Sequence, residues 1–188
     1  MKTVVVVCRG ISPLLINRFQ ESAELPKEIK RSGKKDYGTP RQQAEGTAYR
    51  DDDTLKIWIP TLWFKGSMAV VSSDYKIPGS RKSVKSIFGG VVLPVNEKCY
   101  FKGDLHLKDV EIDSRPVVIQ RSRIMRHRSR LENWSVEFEL EIDDSLLGDE
   151  SVHQILTEAG RRVGVGDFRP QKGGPFGRFI VESWIVRI

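Results

Sequence analysis

The sequence predicts a single α+β domain of the ferredoxin-like type, and three observations lead to that fold class. Apolar, β-branched residues run almost continuously through Val4–Cys8, which is typical of a central strand covered on both faces. Trp134–Ile142 alternates strictly between apolar and polar residues, as a half-buried strand does. Helices are predicted over Leu62–Val71 and from Ser151 to Gly160. The order strand, helix, several strands, helix, strand favours an antiparallel sheet with two main helices.

Local signals set the boundaries of these elements. Pro60 and Thr61 open the first helix, Ser151 caps the second, and Gly160 ends it. The remaining predicted elements are short strands over Leu55–Ile59, Val91–Val95, Cys99–Phe101 and Leu105–Ile112, a turn at Phe88–Gly90, and a last strand over Phe179–Ile188.

One segment differs in kind from the rest of the chain. Gln20–Asp53 is polar, mixes both signs of charge and contains three glycines and two prolines, so no core can be built from it. We predict a long mobile loop with one short helix, inserted within a single domain that spans 1–188. The Asp51–Asp53 triplet within it is typical of a solvated turn rather than of a divalent metal site.

Composition restricts the setting in which the protein works. The longest apolar run is far too short to cross a bilayer, and the start of the chain lacks the cleavage site of a secretory signal. Both cysteines, Cys8 and Cys99, lie in apolar, strand-like surroundings, which favours buried thiols in a reducing compartment. We therefore expect a cytoplasmic protein without a membrane partner.

The charge of the chain is concentrated in two clusters. The net charge is +6, and Ser114–Leu131 contains six arginines and no acidic residue. Closely spaced arginines repel one another unless an anion lies among them, and guanidinium groups bind phosphate in a bidentate manner. A solvated charged hairpin is the alternative. The candidate phosphate-binding cations are Arg121, Arg123, Arg126, Arg128 and Arg130, with a second cluster of Arg161, Arg162, Arg169 and Lys172.

The stretch GRRVGVGDFRPQKGGPFGRF, residues 160–179, holds six of the 16 glycines in the chain. It is not a nucleotide-binding loop, because Arg169 replaces the third glycine of the dinucleotide fingerprint and the helix precedes the strand instead of following it. No cofactor is therefore expected. The glycines either form a tight packing turn or let a ligand backbone approach closely. The candidates for close approach are Gly164, Gly166, Gly173 and Gly174.

No recognised catalytic pattern is present in the sequence. The three histidines lack the spacing of metal ligands, and the cysteines form no CxxC motif. His127 stands alone among arginines, where it could act as a general acid or base on RNA. No metal site is predicted, and a protein without catalytic activity is favoured.

Several segments resemble the RAMP superfamily, the repeat-associated RNA-binding proteins of CRISPR effector complexes. ISPLLINRF (Ile11–Phe19) is similar to their SPL segment, and IPTLWFKGSMAV (Ile59–Val70) to the start of their IPGSSLKG helix. Ile87–Gly89 resembles the FG that follows that helix, and GVGDFRPQKGGPFGRF their C-terminal glycine-rich loop. The backbone subunits of those complexes are the most similar members. The end of the chain also resembles small proteins of phage and mobile elements.

The resemblance implies a modified RRM-like core that binds RNA through phosphate and sugar. It makes Lys65 a contact to the nucleic-acid backbone and Gly164–Gly177 the loop that shapes the binding surface. The backbone subunits also carry a long thumb-like loop, and Gln20–Asp53 lies in its place. Thr61-Leu62-Trp63 departs from the Gly-Ser-Ser of the family, so close approach of the nucleic-acid backbone is not expected there. The catalytic aspartate of some RNA-cleaving members follows the SPL segment, whereas the first aspartate here is Asp36, so target cleavage is not expected.

Together these features predict a non-catalytic protein that binds RNA or single-stranded DNA and assembles in several copies, as a homo-oligomer or with other effector-complex subunits, in antiviral defence or in a phage. Two alternatives remain. One is a metal-independent RNA endonuclease that uses His127, and the other is a protein–protein assembly module whose arginines meet acidic partners.

Overall fold

The computed structural model describes residues 1–18, 38–119 and 121–187, which form ten strands and four α-helices. The strands are β1 (Lys2–Gly10), β2 (Leu14–Ile16), β3 (Tyr49–Arg50), β4 (Ile57–Pro60), β5 (Val92–Pro94), β6 (Lys98–Tyr100), β7 (Glu111–Ile119), β8 (Ser122–Leu131), β9 (Ser135–Ile142) and β10 (Phe179–Arg187). The helices are α1 (Pro40–Gly46), α2 (Leu62–Val71), α3 (Lys85–Val91) and α4 (Asp149–Arg162).

The main sheet is antiparallel throughout and has the strand order β10-β1-β9-β5. Helices α2 and α4 pack against each other and cover its inner face, where Val4, Val6 and Cys8 of β1 are fully buried. Phe64 of α2 stacks on Phe138 of β9 at a ring-centroid distance of 4.5 Å. The apolar alternation of β9 and the apolar stripe of α4 therefore meet in one core.

Two smaller three-stranded sheets flank the main one, with orders β2-β8-β7 and β3-β4-β6. Helix α1 fixes the base of β8, because the Ser129 hydroxyl donates to the carbonyl oxygen of Ala44 at 2.7 Å and the Ser129 amide donates to the Thr47 hydroxyl at 2.9 Å. These sheets carry the longest hairpin of the described chain and, as shown below, a pocket lined by aromatic rings.

The α+β class is confirmed, and so are the bounds of the first predicted helix, Leu62–Val71. Two local predictions are wrong. Phe88–Gly90 is not a turn but part of α3. Phe88 packs into the core, and Gly89 and Gly90 beside it have open space where a Cβ would be. The predicted strand Leu105–Ile112 is divided by a 3-10 helix over Leu107–Asp109.

The second predicted helix is longer than expected at both ends. It begins at Asp149 after Gly148 and runs through Gly160 to Arg162. Gly160 is needed there for packing and does not end the helix, since a Cβ at this position would lie 2.3 Å from the carbonyl oxygen of Phe179. Glycine is the only residue that lets α4 and β10 approach so closely.

The predicted loop Gln20–Asp53 falls partly outside the described residues, which resume at residue 38. From there the chain forms α1 and β3 instead of a loop. Helix α1 has a capping box, in which the Thr39 hydroxyl accepts from the Gln42 amide and the Gln42 side chain accepts from the Thr39 amide. The one short helix of the sequence prediction corresponds to α1.

Both cysteines are buried in the core, and this makes their reactivity predictable. Burial raises the pKa of the Cys99 thiol to about 12 and that of Cys8 well above its ordinary value. Because the thiolate is the reactive form, we expect neither thiol to react with Ellman's reagent at pH 8 in the native protein and both to react in denaturant. Rapid labelling of the native protein would contradict this placement.

Candidate nucleic-acid interface

The arginine-rich run forms a β-hairpin of strands β7 and β8, paired from Glu111 with Arg130 to Ile119 with Ser122. Among the described strands outside the hairpin, only β2 pairs with β8, and it does so at the base, with residues 129–131. Within the described residues, the outer part of β8 pairs with β7 alone. The hairpin therefore extends beyond its sheet by about 20 Å, the length of seven extended residues.

Strand geometry divides the predicted arginine cluster between two faces of the hairpin. Side chains alternate along a strand, so Arg126, Arg128 and Arg130 lie on one face and Arg123 on the other, while Arg121 lies in the turn with a positive φ of 68°. The arginines also differ in their distance from the base of the hairpin: an inner set lies near the base and an outer set near the turn, in different surroundings.

The outer set consists of Arg121, Arg123 and Arg126, all of which are exposed. In the part of the chain that the structure describes, no acidic side chain lies within ion-pair distance of any of them. Arg126 also lies directly opposite Arg115 across the hairpin. Like charges opposite each other on a sheet are unfavourable, but Arg115 is itself paired with Asp113 at 2.8 Å. The outer set therefore supplies the guanidinium groups that are suited to an anionic ligand.

The inner set binds protein groups instead. Arg128 is buried and reaches two carboxylates: its Nε lies 2.8 Å from Oδ2 of Asp167, an ion pair without hydrogen-bond alignment, and one terminal nitrogen lies 3.9 Å from Oδ2 of Asp113. Arg130 pairs with Glu132 and lies over the ring of Phe176. Arg128 and Arg130 therefore hold the hairpin against the rest of the protein, and we leave them out of the contact surface proposed below.

Asp167 connects the hairpin to the glycine-rich loop, residues 163–178. Besides its ion pair with Arg128, its Oδ2 accepts from the Asn17 amide at 3.0 Å, and its backbone amide donates to the Leu15 carbonyl oxygen at 2.9 Å. The guanidinium of Arg115 lies 4.6 Å from the centroid of Phe176, on the same loop. Hairpin, β2 and loop thus form one connected unit.

Most glycines of the loop are required by contacts within the protein. A Cβ at Gly174 or Gly177 would lie 1.8 Å from the carbonyl oxygen of Phe168 or Val165, and one at Gly166 would lie 2.5 Å from that of Leu15. Gly164 is similarly close to its neighbours. These glycines form a tight packing turn, one of the two interpretations that the sequence allowed. The protein's own carbonyl oxygens lie where a side chain would otherwise be.

Gly173 is the exception among these loop glycines. It has a positive φ of 76°, is exposed and has open space where a Cβ would be. Lys172 beside it is exposed as well, and so is Arg178 at the end of the loop. Arg169 is instead half-buried and donates to the Gly166 carbonyl oxygen at 2.9 Å and to the Gln171 side chain at 2.8 Å. Gly173, Lys172 and Arg178 are therefore the part of the loop best placed for a ligand.

The other predicted cations lie away from the hairpin. Arg162 pairs with Asp74 and Glu158, and Arg161 is exposed beside it at the end of α4. Lys65 donates to the carbonyl oxygen of Gly89 at 2.8 Å, which ties α2 to α3. A cavity of about 240 Å³ does separate α2 from the glycine-rich loop, but Lys65 is not among the residues that line it.

His127 has one described partner, the hydroxyl of Ser114, whose Oγ lies 2.7 Å from Nδ1 of the imidazole. Ser114 faces it across the hairpin. No described carboxylate or ammonium group orients the ring, and catalytic histidines usually have such a third group. The environment of His127 gives little support to general acid–base catalysis.

The open face of the main sheet differs from the base-stacking surface of RRM domains. Along β1 and β9 it bears Val5 and Val7 beside Glu137, Glu139 and Glu141. Arg187 lies 2.7 Å from Glu139, and Lys102 lies 3.3 Å from Glu137. Among the described residues, this face carries no aromatic ring, so the binding surface of an RRM is not repeated here.

The sequence analysis did not predict a pocket that lies beside β3, β4 and β6. Tyr49 and Trp58 face each other across β3 and β4, with ring centroids 4.9 Å apart, and Trp63 meets Tyr49 edge-on at 5.8 Å. Lys98 lies over Trp58 at 5.2 Å and Arg18 over Tyr49 at 5.9 Å. We call this the aromatic pocket; its volume is about 290 Å³.

Asp51 stabilises the wall of the aromatic pocket. Its carboxylate pairs with Lys98 and accepts from the Tyr100 hydroxyl, and these hydrogen bonds lower the pKa of Asp51. The predicted solvated turn of Asp51–Asp53 is therefore partly a structural element.

The described residues contain no group of three or more His, Cys, Asp or Glu side chains that could hold a metal ion. None of the described helices is long and apolar enough to cross a membrane.

Comparison with known proteins leaves the site to be interpreted from its own chemistry. No model of a known protein family matches the chain, and comparison with curated proteins returns no significant match.

Proposed function

We propose that the protein binds single-stranded nucleic acid, RNA or single-stranded DNA, through its sugar–phosphate backbone and without cutting it. The observation that carries this proposal is the outer arginine set, Arg121, Arg123 and Arg126, exposed on a projecting hairpin with no described acidic partner. Guanidinium groups without partners lose little by binding phosphate, and they bind it in a bidentate manner. Lys172 and Arg178 extend the cationic surface onto the glycine-rich loop.

The strand order supports the finer fold proposal, a ferredoxin-like or RRM-like domain. With the hairpin, the two smaller sheets and the short helices α1 and α3 set aside, the chain runs β1, α2, β5, β9, α4, β10, which has the order βαββαβ. Its sheet order, β10-β1-β9-β5, places the last strand beside the first and the third between the first and second. This order is the one expected of a split βαβ, ferredoxin-like arrangement and supports that part of the proposal.

Membership of the RAMP superfamily belongs to the same proposal. The segments that carry the resemblance lie on β2, at the start of α2, within α3 and in the glycine-rich loop. β2 and the loop are hydrogen-bonded to each other at Pro13 and Leu15. Under this proposal, several copies would line up along one strand, either in a CRISPR effector complex or in a phage or mobile-element assembly.

The salt dependence of binding tests the outer arginine set. With about five phosphates neutralised, log affinity for a fluorescein-labelled single-stranded oligonucleotide should fall against log salt concentration with a slope of roughly −3 to −4. Replacing Arg121, Arg123 and Arg126 together by glutamine should make that slope shallower by roughly 2, because each lost phosphate contact contributes about 0.7. Fluorescence anisotropy over a salt series measures both values.

Arg162→Gln is the matched control for the triple variant. Arg162 is an exposed arginine that is already paired with Asp74 and Glu158, so its loss should leave the slope unchanged. A wild-type affinity that does not respond to salt would refute backbone binding. An unchanged slope in the triple variant would refute the assignment to the hairpin.

The same oligonucleotides test the endonuclease alternative. The isolated hydrogen bond of His127 to Ser114 leads us to expect intact RNA after prolonged incubation with the wild-type protein. Cleavage by the wild type that disappears in His127→Ala, while binding persists, would replace the non-catalytic proposal with the endonuclease.

One observation favours the second candidate function, a protein–protein assembly module. The outer hairpin also exposes apolar side chains: Val118 is 68%, Met125 51% and Ile124 41% exposed. Val118 and Met125 lie on one face of the hairpin and Ile124 on the other, and exposed apolar side chains grouped at one end of a hairpin are typical of an interaction surface. A protein that purifies without nucleic acid and leaves the anisotropy of every oligonucleotide unchanged would favour this module over strand binding.

A further inference from the structure

We propose that the aromatic pocket holds one nucleobase of the bound strand and prefers a base with an exocyclic amino group. The inference rests on the proposed strand binding, and it adds a site where the base is contacted, whereas the hairpin contacts only the backbone. Its residues come from β3, β4, β6 and the segments that follow β2 and β3, none of which belongs to the hairpin.

The rings of the pocket are suited to stacking. Tyr49 and Trp58 are both half-buried, and their arrangement is fixed by cross-strand pairing between β3 and β4. Base–aromatic stacking tolerates any sequence because every base has a π face. A volume of about 290 Å³ lies at the lower limit of small-molecule sites, which limits the occupant to about one nucleotide.

Cationic side chains at the pocket can bind the phosphate of that nucleotide. Arg18, Arg50 and Lys98 all line it. The charge of Lys98 is shared with Asp51, with which it pairs, and this pairing raises the pKa of the Lys98 ammonium. The pocket therefore combines stacking rings with positive charge, as single-strand binding sites do.

The base preference follows from Asp52, which also lines the pocket. Among the described residues, no cation pairs with its exposed carboxylate. An ionised carboxylate can only accept hydrogen bonds, and acidic side chains accept from the N4 amino group of cytosine. Uracil presents a carbonyl oxygen at the same place, so it would meet the carboxylate with a lone pair instead of a donor.

Oligocytidine and oligouridine of equal length are the probes for this site, because their bases differ mainly in the group on C4, an amino group in cytosine and a carbonyl oxygen in uracil. We expect the wild-type protein to bind oligocytidine at least about five-fold more tightly. Asp52→Asn should reduce this ratio towards one, since the amide can donate as well as accept. Anisotropy of labelled probes at low salt gives both affinities.

Tryptophan fluorescence locates the base. Binding of oligocytidine should quench the emission of the wild-type protein, and Trp58→Phe should remove most of that quenching while keeping an aromatic ring in the pocket. Trp184→Phe is the matched control, because Trp184 lies against His153 on α4 and not in the pocket. Trp58→Ala should weaken binding by about 5- to 150-fold, as loss of a stacked base does.

The outcomes separate the two proposals. Salt-dependent binding with equal affinity for both probes, or with quenching that Trp58→Phe does not change, overturns the pocket and leaves strand binding in place. A protein that binds neither probe at low salt overturns both. Quenching that depends on Trp58 together with a cytosine preference that depends on Asp52 establishes the pocket.

Discussion

Replacing Arg128 by methionine is expected to lower the free energy of unfolding by about 3 kcal/mol, the lower part of the range for breaking a buried ion pair. Arg128 is only 8% exposed and faces Asp113, which is 4% exposed. Removing the guanidinium takes one of two cations away from that carboxylate: Oδ2, which accepts no described hydrogen bond, loses the charge beside it, while Arg115 still donates to Oδ1 at 2.8 Å. Because the ion pair with Asp167 is lost as well, we expect a loss at the lower end of the range for a buried ion pair. Urea denaturation followed by circular dichroism measures the change.

Arg123→Met is the matched control for this substitution. It lies on the same strand and has the same change of side chain, but it is exposed and has no described ion pair. Its stability should change by less than about 0.5 kcal/mol, as for most surface substitutions. If both variants were equally stable, Arg128 would not anchor the hairpin, and its original assignment to phosphate binding would regain support.

Replacing Gly177 by alanine is expected to cost about 2–5 kcal/mol of stability. The new Cβ would lie 1.8 Å from the carbonyl oxygen of Val165, and the φ of +70° is one that alanine adopts only with strain. Left-handed backbone costs about 1–2 kcal/mol and overpacking about 1–3 kcal/mol, which together give that range. Because Gly177 also donates to Pro13 at 2.8 Å, β2 should loosen with the loop.

Gly173→Ala separates the two contributions. Gly173 has nearly the same φ, 76°, but open space where its Cβ would be. It should therefore cost only the backbone strain, about 1–2 kcal/mol. Thermal denaturation of both variants tests the comparison, and equal losses would show that the close contact at Gly177 relaxes without cost.

The parts of the fold that sequence could predict are those with strong periodicity. The alternation of Trp134–Ile142 and the apolar run of Val4–Cys8 correspond to β9 and β1, because hydrophobic burial alone decides their faces. Phe88–Gly90 was mispredicted because two glycines usually indicate a turn. Here the burial of Phe88 outweighs their low helix propensity.

The candidate site was harder to predict than the fold. A run of arginines shows charge but not the position of each residue along the hairpin. Arg126 and Arg128 lie on the same face, but only Arg128 lies beside Asp113 and Asp167, where it is buried. The glycines of the loop were visible in the sequence, but the carbonyl oxygens that require them come from Leu15, Val165 and Phe168. The aromatic pocket gave no sequence signal, because its rings meet only when β3 pairs with β4.

The pairing of Arg115 with Arg126 across the hairpin has a thermodynamic consequence. Self-repulsion between guanidinium groups destabilises the unliganded protein, and dissolved anions relieve it by screening. Sulfate would therefore raise the melting temperature of the free protein while it displaces a bound strand. The same ions therefore act with opposite sign on the two equilibria: they favour folding of the free protein and disfavour its association with a strand.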